Sequence, residues 1–408
     1  MTTTTTLVHR PYNGPLEWWR EGLVYEVSSS RIGRVELDAL HGLLDHVLSL
    51  GFSTVLLRPS LLDGVHDLSS LRAFIEEAHR KGLRVVARVS GAQDPLTGAR
   101  AHERHPITTG HEAQGEGILE RAEAFLASGA DGVDLGAIVP PELDDETDLD
   151  RLSEYFAVLQ GLVAEYVDDG IIGADVAADY PDALRHHLQD DWLHHLRDDS
   201  LLLSRWDRES LTRHLDRSLE EHDRFGAAPS WRYLPGYVLD EDHNPGDGRR
   251  WFEVEAEERR RRGLALLILC LALPGSVYLR QGDEVGLPEA DKPDSPTELA
   301  DAVYAIASHQ GSEFGSPLAT VRHATLQRRE HELSTAPLAF VEGMAWCPPD
   351  ALTVLARDVL VLVNTTDSPI ALPLEASIVL TSSSLDQAEG RLLVRPSTTV
   401  WLVAESVR

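Results

Sequence analysis

Several polar side chains stand at spacings that could do chemistry, and each also has a plainer reading. His102, His105 and His111 share one polar loop and could ligate a metal, but their spacings of three and six residues match no strong ligand motif, so they read as solvated. The acidic loop Glu241-Asp242-His243-Asn244 could take a cation, although a chain this acidic exposes many such loops. Arg259–Arg262 could hold an anion, yet the preceding Glu253, Glu255, Glu257 and Glu258 favour i,i+4 pairs on a solvated helix face. His186, His187, His194 and His195 flank one short helical segment and read as surface or boundary residues. Trp206, Trp231, Tyr237 and Trp251 offer stacking faces near late loops, or belong to the core. Two cysteines, Cys270 and Cys347, cannot build a disulfide framework, and Cys270 lies in an apolar run. No metal and no cofactor is expected.

These residues hang on a repeating frame. Short apolar runs (GLVYEV, STVLLRP, LRVVARVS, ADGVDLGAIV, IIGADV, a weaker one near Trp192–Leu196, SWRYLP, SVYLRQG) alternate with helical periodicity such as DLSSLRAFIEEAHRKG and RESLTRHLDRSLEEHDRFG. Runs without internal polar alternation suit strands covered on both faces, and eight β/α units close into a (β/α)8 TIM barrel. A doubly wound open sheet fits the same pattern, but no GxGxxG or GxxxxGK[ST] follows the first strand, so neither of its nucleotide-binding variants has a signal and the barrel is favoured. After residue 335 the chain turns to short strands separated by Asn364, Asp367, Pro369 and Gly390, which predicts a small antiparallel β-sandwich. The expected organisation is a frayed tail over 1–17 containing Thr2–Thr6, an α/β barrel over 18–335, and a β-sandwich over 336–408.

Composition narrows the partners. The 408 residues carry a formal net charge of −30, a field that repels phosphate backbones and anionic lipid, so neither nucleic acid nor membrane is an expected partner. The longest apolar run, Leu264–Pro274, is about half a membrane span and reads as a buried helix. With no signal-like start, a cytoplasmic location is expected.

Four stretches resemble the α-amylase family of glycoside hydrolases (family 13). Trp18-Trp19-Arg20-Glu21 with Leu23-Val24-Tyr25 is similar to its WWR-x-x-V-I-Y opening. Leu50-Gly51-Phe52-Ser53-Thr54-Val55 with Leu57-Arg58-Pro59 is similar to LGVDAIWLSP. Ala78-His79-Arg80-Lys81-Gly82-Leu83-Arg84-Val85 resembles the entry to the family's third strand. Leu273-Pro274-Gly275-Ser276-Val277-Tyr278 with Gln281-Gly282-Asp283-Glu284-Val285-Gly286-Leu287 resembles LPG-x-x-x-x-YQG-E-E-G-L.

The resemblance implies where a retaining glycosidase would place its two carboxylates. The family's GFRIDVA falls on Gly132–Ile138, which sets Asp134 at the arginine position and Gly136 at the nucleophile. Its GE-x-W falls on Gly173–Val176, with Ala174 as the general acid, and its third aspartate falls on Tyr237. The Asp and Asn-His of its third strand align with Ala92 and Gln93 and their neighbours, and the lobe inserted there shrinks to 94–115. Strand alternation keeps Asp134 on the face of Gly136 and turns Asp175 to the face opposite Ala174, so one inward carboxylate is expected rather than a pair. Arg88, Asp134, Asp175 and Tyr237 are the candidate barrel-mouth residues, with Arg88 and Asp134 expected within about 4 Å. The implied function is a catalytically inactive homologue, a partner or regulatory subunit of an active paralogue or a self-associating chain. The alternatives are a non-catalytic oligosaccharide binder, or a glycosidase or transglycosylase with replacement residues.

Overall fold

The computed structural model describes residues 2–27, 32–60, 68–89, 118–138, 149–176, 181–198, 201, 204–233, 254–288 and 291–407. Strand β1 (Thr4–His9) lies in the C-terminal sheet, and the next eight strands close a parallel barrel in chain order. They are β2 (Leu23–Glu26), β3 (Thr54–Leu57), β4 (Arg84–Arg88), β5 (Gly132–Ile138), β6 (Ile171–Val176), β7 (His195–Asp198), β8 (Ser230–Arg232) and β9 (Ser276–Arg280). The expected (β/α)8 barrel is therefore present. The strand sought near Trp192–Leu196 runs instead over His195–Asp198.

Helix limits follow local chemistry. The helix Arg208–Phe225 starts where the Asp207 side chain accepts the Ser210 N–H, and stops at Gly226 in the left-handed region, φ 71°. The helices Pro296–Gln310 and Pro317–Glu330 each begin with a serine cap followed by proline. Most of the apolar run seen in the sequence, Leu264–Ala272, lies inside the helix Ala256–Ala272, whose C-cap is Leu273, and no helix among the described residues is long and apolar enough to cross a membrane.

Parity decides which strand residues look outward. Tyr25, Val55, Val85, Val133, Ile172, Trp231 and Val277 belong to the main core shared with the helices. Trp231 is thus core, its indole donating to the Pro274 carbonyl at 2.7 Å, and is not a stacking face. The lower barrel interior is a smaller apolar cluster of Val24, Leu56, Val86, Ile171 and Tyr278, with Trp18 and Trp19 packed against it.

The later strands form two antiparallel sheets. They are β10 (Leu338–Glu342), β11 (Leu352–Ala356), β12 (Val359–Asn364), β13 (Ile370–Ala371), β14 (Ile378–Thr381), β15 (Asp386–Ala388), β16 (Arg391–Val394) and β17 (Thr398–Val403). The larger sheet has the order β1-β10-β11-β12-β17-β14, the smaller β13-β16-β15. One face of the larger sheet joins the barrel core and the other joins the smaller sheet, which is why β12 is buried along its whole length.

The N-terminal tail is a correction. Thr4–His9 pairs antiparallel with β10, Thr4 opposite Glu342 and Leu7 opposite Ala339. The run looked featureless because it is polar, yet β-branched threonine suits an extended edge strand.

Candidate functional site

The barrel strands carry charged residues at their C-terminal ends: Glu26 ends β2, Arg88 ends β4, Arg232 ends β8, and Asp175 and Arg197 stand next to last in β6 and β7. All five, with Asp134 of β5, are at least nine-tenths buried. Parallel register sets Arg88 beside Asp134 and Asp175 beside Arg197.

Together the six close a ring of alternating charge. Glu26 Oε1 accepts from Arg88 Nη1 at 2.5 Å, and Arg88 Nε donates to Asp134 Oδ1 at 2.8 Å. Asp134 Oδ2 accepts from Arg197 Nη1 at 2.6 Å, while Arg197 Nε donates to Asp175 Oδ1. Arg232 Nη1 donates to Asp175 Oδ2 at 2.9 Å, and its Nη2 reaches both Glu26 oxygens at 3.1 Å. Arg88 Nη2 also lies 4.0 Å from Asp175 Oδ2 across the ring. Three guanidinium groups face three carboxylates, so the cluster is neutral as a whole. Buried ions need such complete pairing, because each loses several kcal/mol of hydration.

Two glycines make room for it. Gly136 has φ 68°, and its N–H turns back to Asp134 Oδ1 at 2.9 Å. A Cβ on Gly173 would stand 2.7 Å from Asp134 Oδ2 and 3.1 Å from Arg197 Nη1.

Burial penalises charge here, and the partners overcome it. For Asp134, burial favours the neutral acid, but Arg197 and Arg88 outweigh it and hold the carboxyl below the usual carboxylate range. For Arg88, burial opposes the cation, and Glu26 and Asp134 outweigh that, so its pKa rises. Below the ring, the Arg197 guanidinium lies 4.3 Å over the Tyr278 ring. His195 Nδ1 sits 2.5 Å from Tyr278 Oη and Nε2 2.6 Å from the Trp19 carbonyl. A carbonyl only accepts, so Nε2 carries the proton and Nδ1 accepts from the phenol. Burial, aided by Arg197, pushes the His195 pKa down to about 3, a neutral imidazole.

The arrangement meets the expectations unevenly. The Arg88–Asp134 pair is present at 2.8 Å. Asp175 is not turned away: it points into the barrel, 1% exposed, while Ala174 is buried in the helix-facing core. The residue chosen for the general-acid position was therefore on the wrong face, and three carboxylates, Glu26, Asp134 and Asp175, point inward where one was expected. His195 and His187 are buried rather than superficial. Arg260, Arg261 and Arg262 pair with Glu257 and Glu258 on their own helix, Arg262 with Glu258 at 3.1 Å. Ala92, Gln93, Tyr237, Trp251, the 94–115 segment with its histidines and the 241–244 loop lie outside the described residues. Among the described residues no group of three or more His, Cys, Asp or Glu could hold a metal.

Glu26, Arg197 and Arg232 were missed by sequence reasoning. Their signal was a charged residue at or next to the end of a short barrel strand, repeated with both signs around the barrel.

No family model and no curated protein matches this sequence. Among solved structures the chain is similar to a family GH13_31 enzyme, at TM-score 0.60 and 12% identity over 95% of this chain and 99% of that one. It is also similar to Amy13B of Eubacterium rectale (TM-score 0.59, 11% identity, 97% of each chain). A third is a debranching enzyme of Nostoc punctiforme in an acarbose-soaked crystal (TM-score 0.57, 12% identity, 97% of this chain and 100% of that one). At such identities the likeness carries the fold alone: this chain shares the barrel and C-terminal β domain of GH13 enzymes.

Proposed function

We propose that this chain is a catalytically inactive relative of the α-amylase family, acting as a partner or regulatory subunit of an active α-glucosidase- or amylase-type paralogue. One observation carries the inactivity, the closed ring of Glu26, Arg88, Asp134, Arg197, Asp175 and Arg232 in the barrel mouth. A retaining glycosidase needs one carboxylate free to attack and one carboxylic acid holding a proton for the leaving group. Asp134 is fully buried and kept ionised by two arginines, so it has no proton to give and no face open to a sugar. Asp175 is enclosed by Arg197 and Arg232.

The partner role rests on what remains: a complete scaffold whose outer surface is left to act through contact. Co-expression with an α-amylase-family hydrolase encoded beside it, followed by size-exclusion chromatography, tests it. Co-elution is expected, and separate elution at micromolar concentration contradicts it. A second reading, hydrolysis or transglycosylation of α-glucosides by replacement residues, draws support from the inward placement of Asp175 beside Asp134. It requires the ring to open.

A further inference from the structure

The larger C-terminal sheet ends in a bare edge. β1 is its last strand and pairs with β10 on one side only. Along Thr4–Leu7 alternate residues turn their N–H and C=O away from β10, and among the described residues no group meets them. The side chains of Thr4, Thr5, Thr6 and Leu7 are exposed. The helix Arg208–Phe225 packs against both β1 and β11, so it underlies the sheet rather than screening its edge. The strand is held at both ends. Asp223 Oδ2 accepts the Arg10 N–H at 3.0 Å, and Gly343, φ 76°, admits the Thr2 carbonyl, which a Cβ there would meet at 2.6 Å.

Sheet edges invite pairing, and proteins ordinarily blunt them with charge, proline or a bulge. Thr2–Val8 carries no charge and no proline, in a chain of net charge −30, and the bulge of β1 falls between Leu7 and His9, past the exposed stretch. Two such chains repel, so approach is least opposed where both surfaces are neutral. The strand also matches itself. A two-fold axis normal to the sheet pairs antiparallel residues whose numbers add to an even total, and centred on Thr5 it lays the whole uncharged run on its copy. Thr5 then faces Thr5, Thr4 faces Thr6 and Thr3 faces Leu7, pairs of β-branched and apolar side chains that suit an antiparallel ladder. That self-complementarity favours a second copy over an unrelated strand.

We propose that two copies of this chain associate through β1, antiparallel about Thr5, joining their six-stranded sheets into one continuous sheet. The inference is independent of the partner reading, whose test involves a second protein. Sedimentation equilibrium of the full chain from about 1 to 100 µM tests it. A monomer–dimer equilibrium is expected, and its dissociation constant should fall as salt is raised, because screening relieves the repulsion between the two bodies. Thr5→Lys sets like charges face to face on the axis and should weaken association about tenfold at an unchanged thermal transition. Leu374→Lys, at a residue 72% exposed between β13 and β14, should leave association unchanged. A chain that stays monomeric up to about 100 µM overturns the proposal, as does a dimer that Thr5→Lys leaves intact. Capture of a co-expressed hydrolase on this edge, lost in Thr5→Lys and with no dimer of this chain, overturns it in favour of that partner.

Discussion

Asp134 and Asp175 share one guanidinium: Arg197 donates Nη1 to the first at 2.6 Å and Nε to the second. Two of the three inward carboxylates of the barrel mouth are therefore joined through a cation instead of facing each other across open space. Arg88 and Arg232 continue the alternation to Glu26, so each acid hydrogen-bonds the base on either side of it in the ring.

Opening the ring at one acid should be costly. Asp134→Asn leaves Arg88 and Arg197 buried with a weakened partner, and breaking a buried pair from one side destabilises by about 3–5 kcal/mol. Urea unfolding should show that loss. Arg213→Ala, whose partner Glu209 is 87% exposed, should stay within about 0.5 kcal/mol.

Removing an acid and a base together should be gentler than the separate losses suggest. Arg88→Met combined with Asp134→Leu keeps the cluster neutral, with Glu26 still on Arg232 and Asp175 still on Arg197. The double variant should be more stable than the sum of the singles by about 1–3 kcal/mol in a double-mutant cycle. Strict additivity would mean the six groups do not act as a unit.

Gly173 is required by the ring and not by strand formation. Gly173→Ala places a methyl 2.7 Å from Asp134 Oδ2, and overpacking of this kind costs about 1–3 kcal/mol. Gly82→Ala, at a glycine before β4 with nothing near its Cβ, should not perturb the ring. Because Gly82 has φ 81°, it should lose stability only through local backbone strain. Comparing the acid sensitivity of the two variants separates these causes: only Gly173→Ala should alter it.

Acid should weaken the fold in two stages. His195 has a folded pKa near 3 against an ordinary 6.5, so the unfolded chain takes up the proton first. Its contribution is complete above about pH 6.5 and declines by about 1.4 kcal/mol per pH unit as pH falls towards 3. Asp134, also depressed in the fold, adds its loss only below the ordinary carboxylate value of 3.8. Unfolding midpoints measured from pH 7 to 4 should fall, and His195→Gln should flatten that slope. An unchanged slope would place the imidazole elsewhere.

The β/α alternation, most helix ends and the C-terminal strands were legible because periodicity and caps act locally. Strand parity was not. Each residue of IIGADV is buried, so hydrophobicity says nothing about which ones face the barrel axis, and Asp175 was set on the wrong side. What fixes its direction is long-range: Gly173 packs against Asp134 and Arg197 from two other strands. The Arg88–Asp134 pair was legible because both lie at the same end of adjacent strands. Glu26 and Arg232 pair across the barrel instead, 206 residues apart in sequence, where no local rule connects them. Thr4–His9 was misread for a related reason: its strand exists only because β10 offers an edge.

If the ring disables catalysis, its carboxylates cannot cleave a glycosidic bond. Purified chain incubated with 4-nitrophenyl α-glucoside and with maltooligosaccharides, beside Asp134→Asn and Asp175→Asn, measures this directly. Release no faster than in both variants and in buffer is the predicted result; release by the unaltered chain that either substitution abolishes would contradict it.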